Sequence, residues 1–411
     1  MTQRRINVSS GRALEARAHY SRAVRVGDTV LLAGTTSLDR AGTVRGVDDV
    51  TQQVDAILAI AEWSMGKAGA RLDDVVRSRV YVTDIGLADE AARALAKHFR
   101  NARPASTLVQ VAGLAHPDML IELELDAVDG AGASSRRIGS GRAIESEYAY
   151  SRAVRVADRV YVSGSTALTA RGVVEGPGDL YTQTRSTLDT IFRAVADAGG
   201  TPADIVYTKS FFTDTSRMAD YTRAWLEAFG EVRPTSTTLG IPALLRPEML
   251  VEIEAEAIIG AAQSRHDGYT ERQREKPRGY ARTVTVGDRI YMSGCTDLDA
   301  AGEVQAAGDW AAQYDHALHT TRQSLEGAGA SLDDVVRRQT FTVARAEVNR
   351  PHGQGPAYFA HSRPASMGCR IAGLARPELL VEVEVFAVGG TLIRADRRGR
   401  GRSSRSPARR P

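Results

Sequence analysis

The chain has 411 residues, 43% hydrophobic and 25% charged, with two cysteines and a formal net charge of +3. These are globular proportions. They exclude a disulfide-stapled miniature domain, and no run of 18 or more apolar residues reads as a membrane span.

From the N-terminus, MTQRRINVSSGRALEARAHY lacks the apolar core of a signal peptide, and so few cysteines suit a reducing compartment, so a cytoplasmic location is expected. ARAHYSRAVRV and DTVLLAG predict two strands joined by a turn at Gly27 and Asp28. A turn-rich loop follows, SLDRAGTVRGVDD. From about Val50 to Ala68, the spacing of Val54, Ile57, Leu58 and Ala61 predicts a helix. VVRSRVYVTD reads as a third strand, 87–99 as a second helix, and RPASTLVQVAGL and MLIELELDAV as two more strands. The order β-β-α-β-α-β-β implies an α+β fold with both helices on one sheet face.

This pattern is written three times at a constant offset of 130 residues. Tyr20, Tyr150 and Tyr280 match, as do Gly34, Gly164 and Gly294; Gln53, Gln183 and Gln313; Pro104, Pro234 and Pro364; and Glu122, Glu252 and Glu382. A period this long marks whole domains, expected at 1–130, 138–260 and 268–390, with short linkers near 129–137 and 260–272. Residues 391–411 hold eight Arg and one Asp, so the rest of the chain is net acidic. This tail is expected to be disordered, and any contact with nucleic acid is confined to it. In the last strand Ile121, Leu123 and Leu125 alternate with Glu122, Glu124 and Asp126, so the face opposite the helices is acidic. Three such faces turned toward one another give a closed, partly polar centre. The expectation is an intramolecular pseudo-trimer that needs no second chain.

Taken together, Y-S-R-A-V-R-V-[GA]-D, S-G in the second strand, A-G-[AG]-x-x-x-D-[VI]-V, T-D, R-P-[AT]-S and V-E-[IV]-E resemble the RidA/YjgF family of enamine/imine deaminases, over about 120 residues in each copy. The resemblance implies three tandem RidA-like (chorismate-mutase-like) domains, small-molecule clefts between them, hydrolysis of a C=N bond and no cofactor. It implies that Glu122, Glu252 and Glu382 position water, and that Tyr20, Tyr150, Tyr280, Ser163 and Ser293 line the pockets, with Ala33 at the corresponding place in the first copy. The family's carboxylate-binding arginine falls two residues after the proline. All three copies have serine there: Ser106, Ser236 and Ser366. A hydroxyl supplies neither the charge nor the planar fork of a guanidinium. The usual amino-acid-derived substrate is therefore not expected, and an intermediate of a specialised pathway is. Arg103, Arg233 and Arg363 are read as solvated strand-edge residues.

The third copy diverges most. ARAEVNRPHGQGPAYFAH stands in place of its second helix, with prolines and glycines hostile to one. Strict alternation puts Ser293 and Cys295 on one strand face, and Ser366, Gly368 and Arg370 on the pocket side of another. It puts Cys369 toward the helices. A cleft combining Ser293, Cys295, Arg370 and Glu382 is one expectation, and small residues filling a strand are the other. His316 and His319, one helical turn apart, are read as an exposed pair with no metal. No nucleotide fingerprint, P-loop or zinc spacing occurs in the sequence. Two functions remain open: an enzyme acting on an imine, enamine or related carbonyl compound, and a protein that binds a small metabolite or partner without turnover.

Overall fold

The structure, a computed structural model, describes residues 3–271, 275–343 and 355–393. In the first domain the strands are β1 (Gln3–Val8), β2 (Ala23–Val26), β3 (Thr29–Thr35), β4 (Val75–Val82), β5 (Ala105–Gln110) and β6 (Ile121–Val128). They form one mixed sheet in the order β1-β2-β3-β6-β4-β5, with only β4 and β5 parallel. The other two domains repeat this order. Helices Val50–Ala68 and Ala88–Phe99 cover one face of the sheet, as the periodicity predicts. Among the described residues no helix is long and apolar enough to cross a membrane.

The repeated glutamine has a structural task. Gln53 Nε2 donates to Asp118 O at 2.7 Å, and its Oε1 accepts from Leu120 N at 2.9 Å. Gln183 and Gln313 do the same at Leu250 and Leu380. Each clamp fixes the chain two residues before a last-strand glutamate.

Three expectations need correction. Each domain has a sixth, edge strand that the weak patterning of short segments hides: Gln3–Val8, Arg136–Ile138 and His266–Gly268. The two inter-repeat stretches are therefore not loose linkers, because each makes a short helix and then the next domain's edge. The long first strand is broken, with Ala13–Arg17 helical. Thr391–Ile393, read as tail, forms a strand parallel to β1, whereas 394–411 lie outside the described residues. So do 344–354, most of the divergent stretch of the third copy, after which Gly355–Tyr358 is a single helical turn.

The three sheets close into a ring. Ser151 N donates to Pro104 O, Ala281 N to Pro234 O and Ser21 N to Pro364 O, at 3.0, 3.3 and 3.1 Å. Each domain's tyrosine segment is thus hydrogen-bonded to the preceding domain's proline strand, and the first domain takes the third as its predecessor. The acidic faces meet at the centre. Arg79 Nε is 2.7 Å from Glu254 and Lys209 Nζ is 3.1 Å from Glu384, while Gln339 Nε2 donates to Glu124. A second tier joins Arg77 to Glu256 at 3.1 Å and Arg337 to Asp126. At the remaining seam Tyr207 and Phe386 replace that charged pair, Tyr291 packs on Phe386, and the Tyr207 hydroxyl donates to Glu384 at 2.9 Å. An apolar plug from all three domains, including Tyr81, Phe211 and Phe341, fills one end of the axis.

Candidate active site

Between each pair of domains the ring leaves a cleft. One wall brings a tyrosine, an arginine, a glycine and a last-strand glutamate, and the other brings the serine after the proline. The 3/1 cleft, about 520 Å³, joins Tyr20, Arg22, Gly34 and Glu122 with Ser366. The 1/2 cleft, about 370 Å³, joins Tyr150, Arg152, Gly164 and Glu252 with Ser106. The 2/3 cleft, about 130 Å³, joins Tyr280, Arg282, Gly294 and Glu382 with Ser236.

The glycine makes room for the carboxyl group. The ladder between β3 and β6 slips between Leu32 and Thr35, a bulge that turns the strand at Gly34. A Cβ built on Gly34, Gly164 or Gly294 would overlap Oε1 of Glu122, Glu252 or Glu382. The carboxyl groups therefore pack against bare backbone in the wall of each cleft. Burial, and then the charge of the next glutamate along the strand, push Glu122 up to about 8 against the opposing pull of Arg22. Burial also raises Glu252 and Glu382 to about 8. On the same strand face as Glu252, Glu254 ends at about 2: burial would raise it, but Arg79, Arg77 and Lys209 overrule that. One strand thus presents a carboxyl whose proton affinity is raised at the cleft and one whose proton affinity is lowered at the axis.

An arginine with no role assigned from sequence builds the tyrosine wall. Arg22 is buried. It donates to the Tyr20 hydroxyl at 2.7 Å and to Gly34 O at 3.0 Å, and pairs with buried Glu15 at 3.3 Å. Glu15 is itself held by Ser9 and Ser10. Arg152 and Arg282 repeat the bonds to Gly164 O and Gly294 O and the pairs with Glu145 and Glu275. The signal was legible, since Glu15 and Arg22 both recur at the 130-residue offset.

Other expected residues fall elsewhere. Ser163 and Ser293 are buried beneath the seams: each hydroxyl accepts the backbone N–H of Ser106 or Ser236 and donates to a carbonyl of its own domain. Cys295 does not join them. The bulge at Gly294 breaks the alternation and turns the thiol into the helix-side core. Arg370 crosses to the first domain, where it donates to Ala112 O and does not line the cleft of Glu382. The expected grouping of Ser293, Cys295, Arg370 and Glu382 is thus not assembled. Cys369 is buried in the inter-domain plug, and not on the helix side. Arg103, Arg233 and Arg363 are half-buried with φ of 41–50°, and Arg363 reaches Glu15 O across the ring seam. His316 pairs with buried Asp297.

Comparison with known proteins agrees with the architecture. The family model described as Endoribonuclease L-PSP matches residues 10–129, 140–259 and 272–389. An uncharacterised protein of Streptomyces coelicolor is 33% identical over 129 residues, covering 31% of this chain and 96% of that protein. A solved YjgF/YER057c/UK114 family member from Mycobacterium tuberculosis is 39% identical over 31% of this chain and all of its own, with a TM-score of 0.28. A solved chorismatase shares the fold across 77% of this chain and 93% of its own at 14% identity, with a TM-score of 0.51. The chain therefore belongs to the Endoribonuclease L-PSP, or RidA/YjgF, family, and carries its domain three times in tandem.

Proposed function

We propose that this protein is an enzyme that hydrolyses a C=N bond, or a closely related carbonyl derivative, of a small molecule held between two domains. Family membership supports small-molecule processing in general, and one observation carries the finer reading. Three buried carboxyls face inter-domain clefts with their proton affinity raised to the range where a group both gives and takes protons at neutral pH.

The chemistry follows from that poise. A protonated Glu122 gives its proton to the imine nitrogen, which makes the carbon electrophilic. The resulting carboxylate takes a proton from water as the water oxygen bonds to that carbon. The proton then passes to the amine nitrogen as the C–N bond breaks, and the hydroxyl proton returns to the carboxylate as the carbonyl forms. The balance is imine plus water to carbonyl plus ammonia. Arg22 keeps the Tyr20 hydroxyl at the wall, and the bare Gly34 leaves room for the carboxyl itself. Without an arginine after the proline, the substrate is not gripped as the family's motif would grip it.

The test is ammonia release from imines generated in the assay. The wild type turns over at least one neutral, aromatic or acidic imine, and the triple variant Glu122→Gln, Glu252→Gln, Glu382→Gln loses about 10²–10⁴-fold. No release by the wild type, or full activity in the triple variant, overturns the proposal.

A further inference from the structure

One position, one strand inward from the serine, sets the 3/1 cleft apart from the other two. Along the parallel ladder Ser106 lies beside Ser78, Ser236 beside Thr208 and Ser366 beside Arg338. Ser78 Oγ donates to Ser106 Oγ at 3.0 Å, and Thr208 Oγ1 donates to Thr235 O at 3.0 Å, so both hydroxyls are satisfied. Arg338 is not. It is 8% exposed, it lines the 3/1 cleft, and its Nε is buried without a partner. Its guanidinium stacks 5.0 Å from the ring of Phe359, which holds the fork in place but satisfies no N–H. A buried cation with open donors is costly unless something anionic completes it.

The same cleft is the largest of the three, and its third-domain wall is aromatic. Trp310 and Tyr314 stack at 4.9 Å on successive turns of helix Trp310–Gly327 and line the cavity. Their counterparts are Val50 and Val54 in the first domain and Leu180 and Thr184 in the second. Of the other arginines that line this cleft, Arg22 is held by Glu15, Tyr20 and Gly34, Arg12 donates to Leu38 O but also leaves its Nε without a partner, and Arg17 and Arg40 are exposed to solvent. Arg338 is the one that combines burial with no hydrogen bond to any group among the described residues, and its planar fork matches a carboxylate with two parallel hydrogen bonds.

We infer that the 3/1 cleft is the specialised site of the chain, binding a planar, unsaturated carboxylate through Arg338 with its apolar body against Trp310 and Tyr314. This deepens the proposed function and rests on it for the reaction, with Glu122 as the acting carboxyl. Binding can nevertheless be measured without turnover. The carboxylate grip absent after Pro364 is thus supplied from the neighbouring strand, in one cleft of three. Fusion makes this difference heritable, since a homotrimer has to change all its clefts alike.

The experiment is titration calorimetry of the full chain with cinnamate, and with cinnamamide and phenyl phosphate as the neutral and dianionic contrasts. Cinnamate is expected to bind at one site per chain. Its affinity should exceed that of both contrasts and fall about 10–100-fold in Arg338→Met. Arg338→Lys should recover part of the loss, and Arg142→Met, in the 1/2 cleft, none of the effect. Thermal melts of the variants separate binding loss from unfolding. Three equivalent sites, equal binding of cinnamamide, or unchanged affinity in folded Arg338→Met overturns the inference. Arg338-dependent binding with no ammonia release sinks the enzymatic reading alone, and Glu122-dependent release with cinnamate binding indifferent to Arg338 sinks this inference alone.

Discussion

Arg79 of the first domain meets Glu254 of the second at 2.7 Å, both buried, at the place where Lys209 meets Glu384 and Gln339 meets Glu124. The domains are therefore joined through charges that water cannot solvate if a partner is lost. Arg79→Met should cost about 3–5 kcal/mol in urea unfolding, because it strands a buried carboxylate. The pH dependence has a definite sign. Glu254 is held at about 2 in the fold and titrates in the ordinary glutamate range when unfolded. Its contribution is complete above about pH 4.5 and lost as pH falls toward 2, on the order of 3 kcal/mol. Unfolding curves at pH 7, 4 and 2.5 measure this, and a flat profile contradicts it.

The cleft glutamates carry the opposite sign. Glu122, Glu252 and Glu382, raised to about 8, bind a proton in the fold that the unfolded chain releases above about pH 4.5. Their ionisation weakens the fold progressively from about pH 4.5 to 8. Each single Glu→Gln variant should therefore be more stable than the wild type at pH 8 and indistinguishable from it at pH 4. Denaturation midpoints at the two pH values check this. Equal differences at both would show that the carboxyls are not perturbed.

Gly34→Ala places a methyl where Glu122 Oε1 lies. It should destabilise by about 1–3 kcal/mol and reduce any ammonia release with it. Met367 Cγ and Cβ of the third domain lie 2.8 and 2.9 Å from the same point, so part of the cost, and not all of it, should disappear in a Glu122→Ala background, a non-additivity that a double-mutant cycle reads directly. Additive losses would mean that the glycine makes room for Met367 or serves the bulge, and not the carboxyl.

At the seam between the second and third domains, Tyr207 and Phe386 stand where the other seams have Arg77 with Glu256 and Arg337 with Asp126. Phe386→Asp alone removes the packing on Tyr291 and puts a carboxylate at a partly buried position beside Arg289, whose guanidinium lies 4.9 Å from the Phe386 ring, and should lower stability by about 1–3 kcal/mol. Adding Tyr207→Arg should restore a substantial part of it. If the double variant is no better than the single, the aromatic exchange is not a substitute for the ion pair.

Much of this was legible in the sequence. The 130-residue offset carried the three domains, and the alternation of Glu122, Glu124 and Asp126 with leucine and isoleucine carried the inward acidic face, because strand periodicity is a local property. What failed was also local in origin. Alternation does not announce a bulge, so Cys295 was read on the wrong face. The side of a strand that faces a neighbouring domain cannot be told from the side that faces its own helices, so Cys369 and Arg370 were misplaced. Arg338 was invisible for a different reason: its importance lies in being beside Ser366 across a parallel ladder, 28 residues away in the chain.

The central claim is that one polypeptide supplies both walls of every cleft by closing the first domain onto the third. Small-angle X-ray scattering of the full chain tests it most directly. The account predicts the mass of one 44.2 kDa chain and a radius of gyration near 22 Å, the value for a compact body of this length. A radius well above about 30 Å at that mass, as three separated domains would give, contradicts it.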